Sequence, residues 1–185
     1  MKKGIQVAII ESISRKDLYE NRREGHALCK IFDMIGIRYK FFECFGKKEL
    51  IDAIHEVVKL KSLNYLHFSM HGSKDAIYLM NEECINWDEF HSLFWPVLKG
   101  KVLTFSSCEV GQGVKKLFQL KSTFCQAIIA PKDEIYWDEG LIAYSNLYYL
   151  ALKEDNILND LKKINQIIGE KKFFSIDNRN TIMLL

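Results

Sequence analysis

Little in this sequence points to a membrane, a nucleic acid or a metal. No stretch approaches the ~20 apolar residues that a membrane-spanning helix needs. The short apolar run behind Lys2 and Lys3 is broken by Glu11, so no secretory leader is expected. The five cysteines (29, 44, 84, 108 and 125) are odd in number, lack paired spacing and include no Cys-x-x-Cys. That pattern argues against a disulfide framework and a zinc site, and the chain is expected to be cytoplasmic, with no metal or cofactor. A net charge of +2 offers no electrostatic case for nucleic acid or an anionic membrane surface. Lysine pairs such as Lys47-Lys48 and Lys115-Lys116 read as solvated helix faces. There is no internal repeat, low-complexity tract or linker, so residues 1–185 are expected to form one domain.

What is present is ordinary globular composition, 48% hydrophobic and 27% charged, enough to bury a core without staples. Strand-length apolar runs at 6–12, 37–44, 64–71, 101–108, 123–132 and 172–177 alternate with helix-period segments at 18–36, 47–62, 87–98, 138–155 and 157–170. Residues 76–87 read as two short extended pieces around a polar turn. The 18–36 segment carries Leu28, Ile31, Phe32 and Ile35 at helical spacing and is closed by Gly36. Parallel strands need long crossovers, so this alternation predicts an α/β sandwich with about six mostly parallel strands and helices on both faces. In such sheets functional residues gather beyond the carboxyl ends of the strands.

Two residues with chemistry sit there, on consecutive strands: His71 in "YLHFSMHG" (65–72) and Cys108 in "VLTFSSCEVGQG" (102–113). A thiol becomes a nucleophile when a base removes its proton, and a histidine can do so. The attacked carbonyl then needs donors for its negative charge, and the backbone N–H groups of Gly72 and Cys108 are candidates for that oxyanion hole. Position alone leaves the bland alternative open: a cysteine at a strand end is commonly a small buried hydrophobe. His26, His55, His67 and His91 fall in helices or mid-strand and read as structural or solvent-facing, and the other four cysteines read as core or surface thiols. A nucleotide-binding or receiver domain shares the strand order but calls for a Gly-rich loop after the first strand. "ESISRKD" (11–17) has none.

"HFSMHG" (67–72) and "FSSCEVGQG" (105–113) together resemble the two motifs of the CHAT family of caspase-like cysteine peptidases, in the clan of caspases, gingipains and separase. There a strand ends in His-Gly and the next main strand ends in a Ser-Ala-Cys-Glu-Thr-Gly-x-Gly run. Residues 106–113 depart from that run at Ser107 and Val110. "AIIAPKDEIYWDEGLIAYSNLYYLAL" (127–152) is similar to the strand, polar loop and helix that follow, with Trp137 a few residues beyond the family's tryptophan.

The resemblance implies a caspase-like three-layer α/β/α sandwich and a cysteine endopeptidase with Cys108 as nucleophile and His71 as base. The residue before the cut would lie in a pocket built by the loops after the first, third and fifth strands. Acids crowd the last of these loops, so cleavage after Arg or Lys is expected, with Asp133 leading and Glu11 and Asp138 contributing. Asp138 can instead cap the following helix. Arg15, Arg22 and Arg23 can instead build a pocket for aspartate. The substrate is expected to be a protein or peptide. Family members are often fused to sensor modules, so a separate activating protein is expected here, as for a regulated effector of bacterial stress or anti-phage defence. A catalytically silent interaction module on the same fold is the alternative.

Overall fold

The computed structural model describes residues 4–120, 124–153, 157–168, 172–177 and 182–183. The chain opens with β1 (Gln6–Ser12), a short helix α1 (Arg15–Tyr19), α2 (Glu24–Ile35), β2 (Arg38–Glu43) and α3 (Lys47–Val58). Next come β3 (Tyr65–Gly72), the hairpin β4 (Ala76–Tyr78) and β5 (Cys84–Asn86), and α4 (Trp87–Leu98). They are followed by β6 (Val102–Ser106), α5 (Val110–Gly113), α6 (Lys115–Leu120), β7 (Ala127–Pro131), α7 (Trp137–Lys153), α8 (Ile157–Ile168), β8 (Phe173–Asp177) and β9 (Ile182–Met183).

The main sheet runs β2-β1-β3-β6-β7-β8-β9. Its first five strands are parallel, and β8 and β9 join antiparallel. This is the mostly parallel α/β sheet anticipated from the sequence, with an antiparallel edge.

Side-chain parity assigns each face. Along β3, Leu66, Phe68 and Met70 pack with Phe90 and Phe94 of α4 in one core, while Tyr65 packs on the other side with Phe32 of α2 and Tyr148 of α7. The second face also carries the polar row His67, Ser69 and His71. His67 is fully buried and satisfied there. Its Nδ1 lies 2.9 Å from Thr104 Oγ1 and 3.0 Å from the Tyr148 hydroxyl, and its Nε2 lies 3.2 Å from Glu24 Oε2. Both α2 and α7 are thereby tied to β3 and β6 beneath the strand ends, although Glu24 Oε1 itself is buried without a hydrogen-bond partner.

The structure departs from the sequence reading at three places, one of them the edge strand β9, which the sequence reading did not include. The helix expected over 18–36 is two helices. Ser14 caps α1 by accepting from Asp17 N–H, and Asn21 at φ 57° turns the chain before α2 begins. Residues 110–120, given no element from sequence, form α5 and α6. The expected helix ends at 155 and 170 and the strand start at 123 lie outside the described residues, as do Lys2 and Lys3.

Candidate active site

The β3–β6 register pairs Ser69 with Ser106, so His71 and Cys108, two residues further on, reach the same level at neighbouring strand ends. Both line one cavity of about 350 Å³. The two segments touch at Gly72. A Cβ there would sit 2.5 Å from Val110 Cγ2, 2.8 Å from Ser107 Cβ and 3.2 Å from the Cys108 carbonyl oxygen. Only a glycine lets the backbone after His71 approach Cys108 this closely. On the other strand, Glu109 takes a left-handed conformation (φ 54°), and its N–H donates to the Asp133 carbonyl at 3.1 Å. The chain therefore turns sharply after Cys108 and is fastened to the loop after β7. The thiol is partly exposed and donates to the Ile135 carbonyl at 3.5 Å.

A third side chain joins the cavity, and the sequence reading had not singled it out. Asp17, on α1, is buried, and three donors converge on its carboxylate. His71 Nε2 lies 2.7 Å from Oδ2, the Ser14 hydroxyl donates to Oδ2 at 2.5 Å, and Trp137 Nε1 donates to Oδ1 at 3.0 Å. Burial disfavours the ionised form, but the hydrogen bonds from Ser14, His71 and Trp137 outweigh it and hold the carboxyl below the usual carboxylate range. Trp137 also packs edge-on against the His71 ring, with centroids 5.3 Å apart. With Nε2 fixed on Asp17, Nδ1 is the ring nitrogen left to accept a proton. The Ser-x-x-Asp spacing of "SRKD" (14–17), a helix-start signature, is the signal by which Asp17 can be found.

The expected pocket acids are dispersed. Glu11 does not line the cavity: it is fully buried under α2, accepting from His26 N–H at 3.1 Å and facing Arg23 Nε at 3.4 Å. Glu11 shares the parity of Ile9, which faces α2, so its side chain follows that face rather than the strand end. Asp133 is exposed, 3.8 Å from Lys132 Nζ, and Asp138 sits exposed in the first turn of α7. Neither lines the cavity; the loop contributes Glu134 instead. Of the arginines after β1, Arg22 lines the cavity but pairs with Glu20 at 2.9 Å, whereas Arg23 is bound to Glu11 and Glu43.

Burial raises the Glu11 carboxyl above the ordinary range despite the His26 and Arg23 contacts. A folded-state value above the unfolded one means that stability falls as pH rises through that window, because the folded chain must ionise a buried acid. Glu11→Gln, which keeps an acceptor for His26, is therefore expected to unfold no more easily than the parent at neutral pH. Glu11→Ala removes the acceptor of the His26 N–H and the partner of Arg23 from a buried position and should cost about 1–3 kcal/mol. Thermal denaturation across pH 5 to 8, a range set by the ordinary carboxylate value, measures both.

Burial also pushes the thiols of Cys29 and Cys44 up to about 12 and raises that of Cys125 further, so these three are expected to resist alkylation. Cys84 is exposed and Cys108 partly so. Among the described residues no group of three His, Cys, Asp or Glu side chains is placed to hold a metal ion. No described helix is long and apolar enough to cross a membrane.

Neither a family model nor a curated protein matches this chain. A solved structure does: the complex of the Porphyromonas gingivalis RgpB pro- and mature domains, a gingipain of the caspase-like cysteine peptidases. The match has a TM-score of 0.60 at 13% identity and covers 98% of this chain and 49% of that one. The chain thus spans about half the length of that neighbour. At this identity the likeness is one of fold, and the mostly parallel sheet with helices on both faces is of the caspase-like kind.

Proposed function

We propose that this chain is a cysteine endopeptidase in which Asp17, His71 and Cys108 act as a unit. The observation that carries this reading is the convergence of His71 and Cys108 on one cavity, with the histidine held by a buried, ionised carboxylate. The His-Gly and Ser-x-Cys-Glu motifs at 71–72 and 106–109 support it, as does the caspase-like fold.

His71 Nδ1 takes the thiol proton as Cys108 Sγ bonds to the scissile carbonyl carbon, whose π pair moves onto oxygen. The N–H groups of Gly72 and Cys108 receive that oxyanion. Collapse breaks the C–N bond, and the leaving amine takes the proton from His71. Water, deprotonated by His71, then attacks the thioester. The C–S bond breaks and the thiol regains its proton. Asp17 keeps the proton on Nε2 throughout and stabilises the imidazolium between steps.

For the residue before the cut, the proposed preference is a basic one, with Glu134 in the place first given to Asp133. Glu134 lines the cavity with no ion pair among the described residues, whereas the charge of Arg22 is answered by Glu20 and Asp17. A protein partner seated over the cleft is part of the same proposal, since the RgpB neighbour is a complex with its prodomain.

The test uses the full chain carrying Cys84→Ser, so that Cys108 is its only exposed or partly exposed thiol. Iodoacetamide is expected to label Cys108 early and to stop cleavage of a proteome-derived peptide library, with Arg or Lys before each cut. Asp or Glu before the cuts would give the pocket to Lys16 and Arg22. An unreactive Cys108 and an intact library, with and without cell extract, would leave the interaction module.

A further inference from the structure

A second cavity, of about 630 Å³, adjoins the first and shares His71, Ser14 and Lys16 with it. Cys108 does not line it. We infer that this cavity receives the residues following the scissile bond and selects a carboxylate among the first three of them. The inference rests on the peptidase reading above and extends it to the departing half of the substrate.

The direction of the chain follows from the chemistry. The acyl half stays on Cys108, in the cavity with Glu134 and Trp137. The amine half must take its proton from His71 as it leaves. It therefore leaves past the Nδ1 edge of the imidazole, and the second cavity, lined by His71 but not by Cys108, is the adjoining space it can enter. The β3–β4 pairing sets Tyr78 beside His71, and Tyr78, Leu79 and Met80 supply an apolar wall on which an extended peptide can lie.

The charge preference follows from which polar groups in the wall are free. The Ser12 hydroxyl donates to the Cys44 carbonyl at 2.6 Å and accepts from Met80 N–H at 3.0 Å. The Ser14 hydroxyl is committed to Asp17, and the Asn81 amide to Glu83 at both ends. Arg15 and Lys16, in the first turn of α1, remain exposed and without an ion pair among the described residues. Against these two cations the wall sets a single carboxylate, Glu82. A bidentate arginine beside an ammonium is suited to a carboxylate and repels a cation.

The full chain is incubated with a proteome-derived peptide library, and both products of each cut are sequenced. Asp and Glu should be enriched within three positions after the cut. A synthetic pair differing only there, Glu against Lys, should differ roughly tenfold in kcat/KM at low salt, less at high salt. Arg15→Glu, which alters the second cavity alone, should abolish or reverse the preference, and Lys16→Glu should add to it. Cuts that depend on Cys108 but ignore the charge after the bond would overturn this inference and leave the peptidase reading intact. A carboxylate preference untouched by both charge reversals would also overturn it. An uncut library with Cys108 unlabelled removes the peptidase reading, and this inference with it.

Discussion

Cys108→Ala is expected to reduce peptide cleavage to background, a loss of about 10⁴-fold or more, since residues acting as a unit lose nearly everything when one is removed. The fold should survive. The side chain is partly exposed and its one hydrogen bond among the described residues, to the Ile135 carbonyl, is a weak thiol donor. Thermal unfolding should thus be unchanged within about 0.5 kcal/mol. Cys108→Ser should be nearly as inactive, because a hydroxyl is a far weaker acid than a thiol and the same imidazole ionises it less readily. Cys84→Ser, at an exposed position of the β4–β5 hairpin, should retain full activity and serve as the parent. The measurement is the initial rate on the best library peptide, alongside a melting curve. Undiminished cleavage by the folded alanine variant would remove Cys108 from the chemistry.

The alternation of strand-length and helix-period segments was legible because burial is periodic. On β3 the residues Leu66, Phe68 and Met70 face one core, leaving His67, Ser69 and His71 on the other face. His71 and Cys108 stood out because they end such runs beside small residues. Asp17 did not, since a five-residue helix is too short to show a period and Leu18 blended into the helix expected from there to Gly36. Its only local mark is the Ser14–Asp17 spacing. Glu11 was misplaced because its position in sequence, at a strand end, was weighted above its parity, which puts it beneath α2 beside Gly25 and Ser69. The acids after β7 could not be ranked from sequence. Which of Asp133, Glu134 and Asp138 reaches the cavity depends on the backbone path of an irregular loop, and no periodicity reports that.

Asp17→Ala is expected to lower kcat by about 10² to 10⁴-fold, the range spanned by general acid–base contributions. KM should change little if the loss lies in orienting His71 rather than in holding substrate. Asp17→Asn should be almost as damaging, for a specific reason. His71, Ser14 and Trp137 all present donors to the two carboxylate oxygens. An amide nitrogen in either place must oppose a donor. If it donates to Nε2, the imidazole proton moves to Nδ1 and the base is gone; if it faces Trp137, the indole N–H loses its acceptor. Trp137→Phe keeps the ring edge against His71 and removes only the indole donor, so a smaller fall in kcat, roughly threefold to tenfold, is expected. The carboxyl of Asp17 is held below its unfolded value, so its contribution to stability is present above the ordinary carboxylate range and disappears as pH falls through its lowered folded-state value. Between pH 5 and 8, well above that ordinary range, Asp17 should therefore stay ionised and add no limb to the pH–rate profile. Asp17 also stands in the first turn of α1, and its loss could act through the helix alone. The Cys108 alkylation rate separates the two roles, because a loosened helix cap does not change how readily the thiol gives up its proton. A folded Asp17→Ala variant with the parent's kcat and alkylation rate would reduce Asp17 to a helix-start residue and leave His71 without its anchor in the mechanism.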